Sequence, residues 1–289
     1  MLNIEKFEEN WFLKSNTFAD TASKFSGGQV TIVGGSSLFH GAPIMALKAC
    51  SRVVSMVYFA SPKDDFEAVS KIKSELQAFV WIPEDDIEGY VAKSDAVLVG
   101  PGMMRSHVKE HGFVCDDEGQ RTRDMVLSLF RKFPDKRWIV DGGALQVLTI
   151  NEIPKGAILT PNSKEFEMLF GVKQPKELNE RAEILKSLAK KHEVIILIKD
   201  EVSIVGSGDR VVIIEGGSDG LVKGGVGDVT AGLILGFLAK DDPLLAVSYA
   251  SHLVKLAGKK LMDERGLMFS AQDVAECVPL VYKEVLGRL

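Results

Sequence analysis

Short apolar runs rich in β-branched residues alternate along this chain with longer stretches in which apolar residues recur at three and four, the pattern of parallel strands joined by crossover helices. The runs predict strands at Gln29–Val33, Val53–Ala60, Ala96–Gly100, Trp138–Asp141, Ala157–Thr160 and Val194–Lys199. Helical spacing marks Thr122–Phe133 and Glu177–His192. Beyond Lys199, "VSIVGSGDRVVIIEG" places two β-rich runs around the turn "GSGD" and reads as a hairpin. From Asp228 to Leu261, and again in a short terminal stretch, the spacing predicts helices packed on one side. No Pro/Gly/Ser linker, charge block or internal repeat interrupts the pattern, so residues 1–289 read as one α/β domain.

In open α/β sheets ligands sit at the carboxyl ends of the strands, so the loops that follow the predicted strands carry the chemistry. They are "GGSSLFHGAP", "GPGMM", "DGGAL", "TPNSKEFEMLFG", "KDEVS" and, last, "KGGVGD". Each alone is ordinary turn chemistry; six at successive strand ends are a pattern. In the last, Gly224, Gly225 and Gly227 strip side chains from the start of a helix, where several backbone N–H groups lie unpaired. Such a nest at the positive end of a helix dipole is an anion site. Asp228 beside it has a bland reading as a first-turn acid that favours the helix. An acid next to a phosphate site also makes sense as a general base that handles a proton during phosphate chemistry.

Composition narrows the class. The 289 residues are 46% hydrophobic and 26% charged with a formal net charge of −5, ordinary for a soluble protein and contrary to a general nucleic-acid binder. Bound anions must then be held by local dipoles and a few lysines. Cys50, Cys115 and Cys277 are far apart, odd in number and without metal-ligand spacing, which predicts inert thiols in a reducing compartment. The stretch "MLNIEKFEENWFLK" lacks an apolar core and no apolar run reaches membrane-spanning length, so the expectation is a cytoplasmic protein without membrane partners.

In order and spacing these loops resemble the ribokinase-like superfamily and, within it, the carbohydrate-kinase-related branch of NAD(P)H-hydrate dehydratases. "GGS" with "GAP", "GPG", "DGGAL", "TPNSKEF" and "GGVGDVTAG" carry the likeness, from about Gln29 to Pro279. The resemblance implies a three-layer α/β/α sandwich around a mostly parallel sheet, without the lid of sugar kinases. It implies an enzyme that uses ATP or ADP, with Mg²⁺, to phosphorylate the ring hydroxyl of the S-hydrate of NADH or NADPH and then eliminate phosphate. Its site residues would be Ala42, Gly102 and Asn162 lining the hydrate pocket, Asp228 as base, and Gly225, Val226 and Gly227 as the nest. Lys199, Asp200, Glu201, Val202, Ser203 and Gly227 would hold the nucleotide. The partners are therefore small molecules, and a homo-oligomer is left open.

The chain departs from the family pattern where Gly143 replaces the second acid of D-A-D-A-L, Asp200 replaces a glycine after Lys199, Lys223 replaces a threonine, and Val226 stands between the nest glycines. These departures keep two other readings open: a small-molecule kinase, recognised by a stable phosphorylated product, and a nucleotide-binding relative without turnover. Lys199 reads as a solvated lysine or, on the rim shared with the nest, as a phosphate contact. Glu165 reads as an early-helix acid or, with Asn162, as the residue that orients a metal-bound water. Lys223, just ahead of the nest, would favour the more highly charged nucleotide. His40 and His107 show no second His or acid at metal-ligand spacing in the sequence and read as loop-surface residues, and Trp11, Trp81 and Trp138 read as core or interface residues.

Overall fold

The computed structural model describes residues 4–17, 23, 26–62, 66–73, 75–105 and 117–289. Among the described residues ten strands form one sheet: β1 (Ile4–Lys6), β2 (Gln29–Val33), β3 (Met56–Ala60), β4 (Val80–Ile82), β5 (Ala96–Val99), β6 (Arg137–Val140), β7 (Ile158–Leu159), β8 (Ile195–Ile198), β9 (Ser203–Ser207) and β10 (Arg210–Ile214). Their order is β1-β10-β9-β8-β7-β6-β5-β2-β3-β4, and every pairing is parallel except those of β9. The central strands are buried on both faces and accordingly read as unbroken apolar runs rather than alternating ones.

One face is covered by α1 (Gly41–Cys50), α8 (Val226–Leu238), α9 (Pro243–Arg265) and α10 (Ala271–Leu286); the other by α3 (Ile87–Lys93), α4 (Asp117–Lys132), α5 (Gly142–Val147), α6 (Ser163–Phe170) and α7 (Leu178–His192). A further helix, α2 (Phe66–Ile72), packs Val69 into the first layer. The three-layer α/β/α architecture that the family resemblance implies is therefore the one observed. The Gly208 turn closes the hairpin β9–β10 as predicted.

Two departures have local causes. The third strand begins at Met56 rather than Val53, because the Val53 N–H donates to the Cys50 carbonyl in a turn that closes α1. The helical region after the nest divides at Asp242, whose carboxylate accepts from the Leu244 and Leu245 N–H groups and caps α9, with Pro243 at its first position. The strands β1 and β4, three residues each, are too short for a periodic signal.

The packing of α8 decides where the nest lies. A Cβ added at Gly232 would come within 2.2 Å of the Ala46 carbonyl oxygen, so α8 and α1 touch backbone to backbone. Trp138 is fully buried and donates its indole N–H to the Phe133 carbonyl, while Trp11 and Trp81 pack partly buried against the first layer. Cys50 and Cys277 are buried free thiols; Cys115 and His107 lie outside the described residues. Among the described residues no helix is long and apolar enough to cross a membrane.

Candidate active site

Because β8, β7, β6, β5 and β2 are parallel neighbours in that order, the loops beginning at Lys199, Thr160, Asp141, Gly100 and Gly34 emerge side by side on one rim. The rim is tight. Gly102 has φ 70°, and a Cβ there would lie 2.4 Å from the Phe39 carbonyl and 2.8 Å from Pro43, so "GPG" packs directly against the "HGAP" turn. Gly143 is equally confined: a Cβ would meet the Met103 carbonyl at 2.2 Å.

Three strand ends meet in a polar cluster. Asp141, 5% exposed, accepts a hydrogen bond from the fully buried Thr160 hydroxyl at 2.5 Å. The Lys199 ammonium donates to the Thr160 carbonyl at 2.6 Å and stands 3.7 Å from the Asp141 carboxylate. A charge taken out of water must be paired, and here each partner arrives from a different strand.

Next to this cluster α6 begins with a complete capping box. Asn162 Oδ1 accepts from the Lys164 and Glu165 N–H groups, and Glu165 reaches back to accept from the Asn162 N–H at 2.9 Å. Gln146 on α5 donates to the other Glu165 oxygen at 2.9 Å, and Arg105 donates to Gln146 at 3.3 Å. Burial pushes the Glu165 carboxyl above its ordinary value, opposed by the Asn162 N–H and reinforced by the charge of Asp141.

The nest closes the site from the other layer. Gly225 enters α8 with φ 93°, a conformation that suits glycine, and the side chain of Val226 is buried. The Val226 N–H is taken by the Lys223 carbonyl at 3.4 Å, whereas those of Gly225 and Gly227 find no acceptor among the described residues. A Cβ at Gly227 would sit 3.4 Å from Lys199 Nζ, so ammonium and nest face each other. One residue on, burial and then the Asp141 charge push the Asp228 carboxyl up to about 7, against the pull of Lys199. A carboxylate that titrates there, with unpaired amides beside it, can accept a proton from a hydroxyl while the amides hold a phosphoryl group.

Of the residues singled out from the sequence, Lys199, Gly227, Asp228, Glu165 and Asn162 converge. Ala42 stands at the start of α1, next to the Pro43 on which Gly102 closes, at the "GPG" end of the rim. Asp200 is drawn to the Arg181 guanidinium at 2.6 Å, and Ser203 bonds back to the Asp200 carbonyl at 3.3 Å, so Lys199–Ser203 forms a self-bonded loop. Lys223 does not face the nest: its ammonium donates to the Leu267 and Phe269 carbonyls, each at 2.5 Å, and covers the Phe269 ring. The cation expected to favour the more charged nucleotide is thus committed to the α9–α10 connection. Sequence reasoning passed over Asp141, Thr160 and Gln146. Asp141 and Thr160 each open a loop already singled out, and Gln146 lies one turn from Gly142 on α5, but no spacing shows that they pair with Lys199 and Glu165.

The raised Asp228 value has a consequence for stability. Between its ordinary 3.8 and about 7 the folded chain binds more protons than the unfolded one, so stability falls as pH rises through this window, and the cost is fully present above it. Asp228→Asn removes that cost. The variant should unfold at higher urea than the wild type at pH 8, by on the order of 2 kcal/mol, and the gain should shrink markedly at pH 5. Equal gains at both pH values would show that Asp228 is not raised.

Comparison with known proteins matches this architecture. The sequence profile described as NAD(P)H-hydrate dehydratase matches residues 30–280. The ADP-dependent (S)-NAD(P)H-hydrate dehydratase of Cenarchaeum symbiosum is 29% identical over 263 residues, 90% of either chain. A bifunctional NAD(P)H-hydrate repair enzyme of Pyrobaculum aerophilum is 30% identical over 91% of this chain, which spans 52% of that larger protein. Among solved structures, the ADP/ATP-dependent NAD(P)H-hydrate dehydratase of Bacillus subtilis, co-crystallised with ATP/Mg²⁺, superposes with a TM-score of 0.79 at 24% identity, covering 99% of this chain and 100% of that one. With the profile spanning nearly the whole length and every rim loop inside it, the chain belongs to the NAD(P)H-hydrate dehydratase family.

Proposed function

We propose that this enzyme dehydrates the S-hydrate of NADH or NADPH at the expense of a phosphoryl group from ADP or ATP. The observation that carries the reading is the juxtaposition of Asp228 with the open amides of the nest and with Lys199. The hydrate's ring hydroxyl is a poor leaving group. Asp228 takes its proton, the oxygen attacks the terminal phosphorus of the nucleotide, and the nest with Lys199 receives the charge on the transferring phosphoryl. The phosphate ester then leaves as inorganic phosphate as the neighbouring ring proton is lost, which restores the double bond of the reduced nicotinamide. Ala42 and Gly102 would line one side of the hydrate pocket and Asn162 the other. The loop Lys199–Ser203 would hold the nucleotide. Residues 1–289 act as one domain on this reading, since one sheet carries every part of the site.

The donor set fits Mg²⁺ bound largely through other ligands. Among the described residues no three acidic, His or Cys side chains converge as a metal cluster, and Mg²⁺ at phosphates commonly takes one or two carboxylates plus water and phosphate oxygens. Glu165, buried and with each oxygen accepting only one bond from the protein, would position a metal-bound water beside Asn162. Bound there, the ion would supply charge neutralisation on the phosphates.

Two experiments test this. Purified protein given hydrated NADH with ADP or ATP should regenerate reduced-nicotinamide absorbance and release phosphate stoichiometrically, and Asp228→Asn should lower kcat about a hundredfold or more while nucleotide affinity changes little. A stable phosphorylated product without recovered absorbance, or unimpaired turnover by the variant, would overturn the reading. Glu165→Gln keeps an oxygen for the Asn162 N–H and so keeps the cap, meets Gln146, whose amide must turn over to accept, and loses the charge. Its Mg²⁺ requirement should rise sharply with little change in Tm; an unchanged Mg²⁺ curve would assign Glu165 to capping alone.

A further inference from the structure

Lys255 lies in the middle of α9, 5% exposed, and no motif on the rim includes it. Its ammonium donates to the carbonyls of Asp200 at 2.7 Å, Glu201 at 2.6 Å and Gly216 at 2.9 Å. An ammonium has three protons, and here all three are spent on main-chain oxygens from two segments, the loop after β8 and the one after β10. Lysine is seldom buried, because desolvating its charge is costly. A methionine would fill the same space without that cost, so the charge serves the backbone it holds.

We propose that Lys255 is a positioning residue for the nucleotide: from beneath the rim it gathers the carbonyls of residues 200, 201 and 216 and so shapes the loop that receives the nucleotide. The proposal rests on the reading of Lys199–Ser203 as that loop. Its chemistry follows from a conflict in the sequence. The loop carries two acids, Asp200 and Glu201, and its carbonyl dipoles would add more negative potential if they pointed towards phosphates. Arg181 takes the Asp200 carboxylate, and Lys255 turns the two loop carbonyls inward. A segment otherwise hostile to an anion then presents Lys199 on its outer side, facing the nest.

Lys255→Met keeps the apolar stem and removes the donors. Losing hydrogen bonds to a charged donor predicts a rise of about tenfold or more in the ADP dissociation constant, measured by calorimetry, and in the nucleotide KM. The hydrate KM, and kcat at saturating nucleotide, should stay within about threefold of wild type. Unchanged ADP affinity, or a loss confined to Tm, would overturn the proposal. The wild type supplies a second test that does not depend on the variant folding. Burial holds the Lys255 pKa down to about 8, with the Asp200 and Glu201 carboxylates pulling it back up. Among the described residues, Arg181, paired with the Asp200 carboxylate, and His252 one turn earlier on α9, whose own pKa burial lowers, also stand near it. ADP affinity should therefore weaken several-fold as pH rises through about 8, and a flat profile would contradict the proposal. Amide hydrogen exchange on ADP addition separates the two ideas. No protection of residues 199–203 in the wild type defeats the nucleotide-loop reading and Lys255 with it; protection there with unchanged ADP affinity in Lys255→Met defeats Lys255 alone.

Discussion

Three acidic side chains, Asp141, Glu165 and Asp228, and the Lys199 ammonium act on one another electrostatically where β6, β7, β8 and α8 meet. Asp141 accepts from Thr160, Lys199 is suspended between the Thr160 carbonyl and Asp141, Glu165 is bound by Asn162 and Gln146, and Asp228 feels the charge of all three neighbours. One cation cannot neutralise three carboxylates in a partly desolvated space. Burial and then this excess negative charge raise Asp228, which has no cationic partner within bonding distance among the described residues and stands at a helix start with open amides. The burial and charge excess that make its ionised form costly for the fold suit it to the proposed role of proton acceptor near neutral pH.

The remainder of the molecule keeps this arrangement in register. Parallel pairing aligns five strand ends into one rim, and the backbone contact of α8 with α1 at Gly232 and Ala46 fixes how far the nest projects over that rim. From below, Lys255 ties α9 to the loop after β8. The functional groups thus come from both helical layers and from the sheet between them, and none is carried by a long unsupported loop. Such support suits phosphoryl transfer, in which positioning and electrostatics supply most of the catalysis.

Much of this was legible in the sequence, for a physical reason. Strands buried on both faces must be continuous apolar runs, so Ala96–Val99 and Ile195–Ile198 announce themselves, and the loops that follow them are counted off by Gly, Pro and Asn. The nest was readable because a helix entered at positive φ with open amides favours glycine, and Asn162 with Glu165 because a capping box has a fixed spacing. Interactions between loops were not readable. Nothing in "DGGAL" shows that Asp141 will pair with a lysine 58 residues on, since that contact is set by strand order. Lys223 failed as an expectation for the converse reason: sequence adjacency to the nest says nothing of where a long, flexible side chain will go, and here two carbonyls of the α9–α10 connection claim it. Lys255 was invisible because a buried lysine within a helix has no sequence signature apart from its partners.

The central claim is that the surroundings of Asp228 hold its carboxyl near neutrality, and a direct titration tests it. Protein labelled with ¹³C at aspartate side chains, with Asp228 assigned by comparison with Asp228→Asn, should show a carboxyl resonance that moves with a midpoint at about 7. A midpoint near the ordinary aspartate value of about 4 would mean that the Lys199 charge and the open helix start outweigh burial and Asp141, and the account of Asp228 as a tuned base would be wrong.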